Sequence, residues 1–133
     1  MTDLSCPCHS GKLYSACCEP YHHGTAPETA LALMRSRYAA YALGLVDYII
    51  NTTRFSEPDK APPIDQWRQS ILEFSTSTDF LGLKIHSHTE GKSRAVVKFT
   101  ALLKRGEVDT SFTETSQFEK EEGRWLYVQP SMS

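Results

Sequence analysis

An α+β fold is predicted for this chain, with helices preceding a sheet. Three observations carry the prediction. Apolar residues in the first half recur at helical spacing, the period drops to two from Phe80 onward, and four cysteines crowd into residues 6–18 ahead of both. With 133 residues, 40% of them hydrophobic, the chain has room for one ordinary domain and a small appended module.

The module comes first. In "CPCHSGKLYSACC", Cys6 and Cys8 are separated by one residue, and Cys17 and Cys18 are adjacent. Ser10 and Gly11 supply a turn between the pairs, and the rest of the loop can wind back toward the first pair. Two ligand pairs joined by a short loop suit zinc, which takes four thiolate or imidazole ligands in a closed structural site. Lys12 can offset part of the charge that four thiolates leave around a dication. His9, His22 and His23 stand close enough in sequence for one to replace a sulfur, with Cys18 the position most open to exchange. Disulfides are disfavoured, because neighbouring cysteines bond poorly to each other and reducing compartments oppose such bonds.

The first long helix is expected over residues 26–43, with Thr25 and Glu28 at capping-box spacing, Pro27 in the first turn and Gly44 as the stop. Leu31, Met34, Tyr38, Tyr41, Ala42 and Leu45 form its stripe, flanked by Arg35 and Arg37. "VDYIINTT" reads as a shorter helix with Asp47 near its start, and "SEPDKAPP" as an exposed linker. A third helix is expected to turn Ile64, Trp67, Ile71 and Phe74 to one side.

Four β-rich stretches follow, separated by turns at Gly91, Gly106 and Gly123, and an antiparallel meander is the economical reading. In the third strand Val108, Thr110, Phe112, Glu114, Ser116 and Phe118 share one face, the other being polar. Glu114 thus falls where an apolar side chain is due and needs a partner or a wet cavity. A structural pair with Arg35 or Arg37 is the plain explanation. A pocket carboxylate, acting as general base or binding a polar ligand with Tyr38, Tyr41 or Trp67, is the alternative. His86 and His88 are expected at the surface, and Trp125 and Tyr127 in the core.

Charge narrows the classes. Fourteen Lys and Arg against sixteen Asp and Glu, with no long block of either sign, speak against nucleic-acid binding. The start "MTDLSCPCHS" has neither a basic region nor an apolar stretch of the secretory kind, and no apolar run approaches the ~20 residues of a membrane span, so a cytoplasmic protein is expected.

Cys-x-Cys-x8-Cys-Cys, with "SGK" after the second cysteine and Tyr14 before the third, resembles the SEC-C motif over about residues 4–24. The motif also ends the SecA translocation ATPase, where it serves binding to SecB and to ribosomes. The resemblance therefore implies one structural zinc per chain, held by Cys6, Cys8, Cys17 and Cys18, and a docking role toward a protein partner such as the ribosome or secretion machinery.

"LMRSRYAAYALGLVDYIINTT", "FLGLKI" and "FTETSQFEKEEGRWLYV" resemble the middle domain of YchJ-like proteins. That domain is similar to the nuclear transport factor 2-like cone, in which about three helices and a curved four-stranded antiparallel sheet enclose a cavity. Residues 1–24 then form the zinc module and 25–133 the cone. The likeness places the arginines of "MRSRY" on Arg35 and Arg37 and the acidic strand position on Glu114. The chain departs from the family in lacking a His-Pro step after the second helix and a second carboxyl-terminal SEC-C motif.

Fold does not decide activity, since such cones include isomerases and epoxide hydrolases as well as binding modules. Two arginines beside Glu114 would make it a poor base. A zinc-containing, non-catalytic adaptor is therefore expected. The alternative is a small-molecule-binding protein or an isomerase- or hydrolase-type enzyme. A monomer is favoured because Thr113, Thr115 and Gln117 make the outer sheet face polar, with a dimer through that face as the alternative.

Overall fold

The computed structural model describes residues 4–129. A 3-10 turn at Tyr14–Ala16 and α1 (Glu19–His22) close the cysteine module. They are followed by α2 (Ala30–Leu43), α3 (Val46–Asn51), β1 (Thr53–Phe55), a 3-10 turn at Pro58–Lys60, and α4 (Ile64–Ser77). The rest is strand: β2 (Asp79–Glu90), β3 (Arg94–Arg105), β4 (Val108–Asp109), β5 (Phe112–Glu121) and β6 (Arg124–Gln129).

The expected antiparallel meander is present as β2-β3-β5-β6, and the sheet extends beyond it. β1 adds parallel to the edge of β6, giving the order β1-β6-β5-β3-β2, and β4 pairs with β3. Alternation is clean in β3, where Ala95, Val97, Phe99, Ala101 and Leu103 are all buried and every residue between them is more exposed. Two register shifts in β2, between Phe80 and Gly82 and between Ile85 and Ser87, bend the sheet edge around the helices. The expected third strand is interrupted at Thr110 and Ser111, so Val108 does not continue the inner face and lies 64% exposed.

Helix α2 begins at Ala30 rather than residue 26. Its cap is Thr29, whose Oγ1 accepts from the Ala32 amide at 3.0 Å, and Glu90 Oε1 takes the Ala30 amide at 2.9 Å. These two acceptors satisfy first-turn donors, which leaves no need for a Thr25 box. At the other end Gly44 adopts φ 73°, as expected of a helix-terminating glycine.

No single stripe of α2 is buried. Leu33, Met34, Ser36, Arg37, Tyr38, Ala39 and Ala40 are all inside, because three structures cover the helix. Met34 and Tyr38 meet the sheet, Ala39 meets the cysteines, and Ala40 packs with Ile49 and Ile71 of α3 and α4. In α4, Ile71 is buried with Trp67 and Phe74 packed inward as expected, whereas Ile64 at the first turn is 48% exposed.

Candidate metal centre and cone cavity

The four sulfurs converge. The Sγ atoms of Cys6, Cys8, Cys17 and Cys18 all lie within 4.8 Å of one another, with Cys8 to Cys17 at 3.6 Å and Cys17 to Cys18 at 3.9 Å. Sulfurs bound tetrahedrally at ~2.3 Å stand about 3.8 Å apart, so the donor set fits a closed four-thiolate site. Loop hydrogen bonds set this geometry: the Cys6 amide donates to Lys12 O at 2.8 Å, the His9 amide to Cys6 O at 3.0 Å, and Ser10 Oγ lies 3.2 Å from Cys17 Sγ. The Cys18 thiol hydrogen-bonded to it lowers the pKa of Cys8, Cys18 rises as the donor, and burial raises Cys6.

The nearby histidines are engaged elsewhere. The Nε2 atom of His22 is 2.8 Å from the Ser36 carbonyl, which only accepts, so that nitrogen carries the proton and Nδ1 accepts from Tyr14 Oη at 2.6 Å. Both ring nitrogens are thus occupied in the fold. Its ring also meets Tyr48 nearly perpendicularly at 4.8 Å, and burial lowers its pKa. His9 Nε2 donates to the Phe80 carbonyl at 3.2 Å, and exposed His23 lies 3.9 Å from Glu19. These contacts favour four sulfurs over an exchange at Cys18.

Arg35 and Arg37 part company. Residues two apart on a helix face in roughly opposite directions, and here one looks to the module and the other to the cone. Arg35 Nη1 donates to the Cys8 carbonyl at 3.4 Å, bringing to the cysteine loop a cation that the sequence reading sought in Lys12, which is exposed. Buried Arg37 uses Nη1 on Ile49 O at 3.1 Å and on Thr52 Oγ1 and Thr53 Oγ1 at 2.8 Å each, tying α2 to the end of α3 and to β1. Its guanidinium lies over the Tyr127 ring, 4.5 Å from the centroid.

The direct Arg–Glu pair expected from sequence is not formed. Glu114 faces inward, opposite Phe99 in the ladder, and its Oε2 accepts from Ser116 Oγ and, at 3.4 Å, from Tyr127 Oη. Among the described residues Oε1 has no hydrogen-bond partner. Arg37 Nη1 is bound to carbonyl and hydroxyl oxygens instead, and Glu114 lines a cavity with the guanidinium near enough for their charges to interact.

That space is a cavity of about 280 Å³ inside the cone. Arg37, Tyr38, Tyr41 and Glu114 line it, together with an aromatic wall that includes Phe74, Phe80, Phe99, Phe112 and Phe118. Phe112 is 43% exposed, so the cavity reaches the surface beside it. Of the residues singled out from sequence, Trp67 stands apart, packed against Phe55 at 5.0 Å, and Arg35 faces the module. Tyr127, read as simple core, touches both Arg37 and Glu114. Its cross-strand partner is Phe118, a signal that it shares the inner face.

Fold and cysteines together define the class: a nuclear transport factor 2-like α+β cone carrying an amino-terminal four-cysteine cluster of SEC-C type. The family model described as "YchJ, middle NTF2-like domain" matches residues 29–130, and the chain belongs to the YchJ family. A UPF0225 protein of Actinobacillus succinogenes is 40% identical over 131 residues, covering 96% of this chain and 81% of its own. Among solved structures, a SEC-C motif containing protein from Rhodopseudomonas palustris is similar at a TM-score of 0.79 and 38% identity, over 95% of this chain and 96% of the other. Another, from Psychrobacter arcticus, matches at 0.79 and 30% identity, over 96% and 82%. Among the described residues no helix is long and apolar enough to cross a membrane.

Proposed function

We propose that this chain is a non-catalytic binding protein in which zinc, held by Cys6, Cys8, Cys17 and Cys18, braces a cone that takes a small molecule. The observation that carries this reading is Glu114: it faces an aromatic-walled cavity, unpaired with either arginine. Bound zinc would cross-link the two cysteine pairs and stabilise the module. Ala39, Arg35 and Ser36 join that module to α2, so the metal site steadies the helix that forms one side of the cavity. Binding is favoured over catalysis because the donors beside the carboxylate, Ser116 and Tyr127, are spent on it instead of being aimed at a developing oxyanion.

Native mass spectrometry of gently purified full-length protein tests the reading. The wild type is expected to carry one zinc and to retain an organic adduct that a folded Ala101→Leu variant, whose larger side chain fills part of the cavity, loses. Equal retention by both would count against it.

A second reading has its own observation. Leu4, 73% exposed, and Leu13, 48% exposed, stand on the two sides of a small bridge, Ser5 to Leu13, next to exposed Lys12. Such an apolar knob suits docking to a protein, which by resemblance would be the ribosome or secretion machinery. Pull-down with wild-type and Leu13→Ser protein would support it if the variant alone lost its partners.

A further inference from the structure

We infer that the ligand of the cone is a flat, neutral aromatic molecule of one or two rings that donates an N–H or O–H to Oε1 of Glu114. The inference rests on the cavity reading above and adds the chemical class of the guest. Four features of the cavity lead to it.

The wall is one. Tyr38 and Phe80 meet at 88°, Phe74 and Phe80 at 89°, and Phe99 and Phe112 at 70°, all edge to face. Side chains packed edge-on to one another keep ring faces available to a planar guest, which can stack or pack edge-on in turn. Volume is another. About 280 Å³ sits at the lower edge of the ~300–1,000 Å³ usual for small-molecule sites, enough for one or two rings and too small for a steroid-sized skeleton.

Charge selects next. One carboxylate and one guanidinium line the same cavity, so a guest of either sign is drawn by one and repelled by the other, and the site has no net charge to favour an ion. Turning the Arg37 guanidinium toward an anion would pull Nη1 away from Ile49 O, Thr52 Oγ1 and Thr53 Oγ1. A neutral guest disturbs neither group.

Hydrogen bonding then sets the polar end. An ionised carboxylate only accepts, and Ser116 and Tyr127 both donate to Oε2, which orients the group and leaves Oε1 without a partner among the described residues. A guest without a donor would cover that oxygen and strip its water with nothing in return. Ser116 and Tyr127 thus position Glu114, and Glu114 selects the guest.

Indole and N-methylindole, which share a ring system and differ in one donor, make the test. Each is titrated into zinc-loaded full-length protein, followed by calorimetry and by amide shifts. Indole is expected to bind at the cavity about tenfold or more tighter than N-methylindole, and Glu114→Leu should erase the preference. Glu114→Gln, which keeps the shape, is expected to reduce it if the leucine variant does not fold. Equal affinity for the two probes would overturn the donor requirement while leaving the cavity reading intact. Tighter binding of tryptamine or indole-3-acetate than of indole would overturn the neutral class. Absence of cavity shifts with all four probes would overturn both the class and the reading beneath it.

Discussion

His9 of the cysteine loop donates from Nε2 to the carbonyl oxygen of Phe80, 71 residues away in sequence, at 3.2 Å. Its ring meets Tyr38 edge-on at 5.8 Å, and Tyr38 and Phe80 are both cavity-lining residues. The residue adopts φ 61°, a left-handed conformation uncommon outside glycine, while its amide closes the loop on Cys6 O. The cysteine loop therefore packs against two residues of the cavity wall, and the module is more than an appended knob.

Removing that link should be measurable. His9→Ala is expected to cost about 1 kcal/mol in urea unfolding, from a lost hydrogen bond and ring contact, with bound metal unchanged. His9→Asn, which tolerates the left-handed backbone, should cost less. A neutral alanine variant would mean that the Phe80 contact contributes nothing.

Stripping the metal should loosen more than residues 4–24. By amide exchange, those residues are expected to lose protection first, followed by Ser36–Ala40 and Phe80, while β3 and β5 stay protected. Loss of protection in all of these together would mean that the cone has no stability apart from the module.

The two arginines should behave differently. Arg37→Leu removes the contacts of Nη1 with Ile49 O, Thr52 Oγ1 and Thr53 Oγ1, which keep their bonds to one another and to Tyr48 O, a loss of about 2 kcal/mol. Lysine at the same place cannot reproduce the fork and should recover only part. Arg35→Gln gives up one long bond to Cys8 O and should cost under about 1 kcal/mol. Urea unfolding of the three variants separates these outcomes.

Alkali should act through buried phenols. Burial pushes Tyr48 and Tyr127 up to about 12, with Glu114 adding to the shift at Tyr127. A phenol whose folded pKa exceeds the unfolded value of ~10 contributes stability that is complete below pH ~10 and lost as pH rises through about 12. Absorbance at the phenolate band should show part of the tyrosine signal held back and then released together with unfolding. Smooth ionisation of every tyrosine around pH ~10, with the fold intact, would contradict the burial of these rings.

Much of this was legible. Period-two alternation placed Glu114 with Phe112 and Phe118 on the inner face, since a strand forces every second side chain to one side. The four-cysteine spacing announced its own convergence. All-round burial of α2 was not legible, because Ser36, Ala39 and Ala40 are too small to mark a stripe, and their burial depends on α3, α4 and the module arriving from elsewhere in the chain. Strand β1 was hidden for a similar reason: three residues carry no period, and its parallel pairing with β6 is set by the Tyr127 amide reaching Thr52 O at 2.8 Å. The divergence of Arg35 and Arg37 was available in principle from their two-residue separation.

The most direct test of the account is an amide correlation spectrum of the zinc-loaded full-length chain, recorded as small aromatic compounds are added. Binding in the cone predicts shifts clustered at Tyr41, Phe112, Glu114, Ser116 and Tyr127. Shifts confined to the Leu4–Leu13 knob, or none at the cavity with any compound, would contradict it.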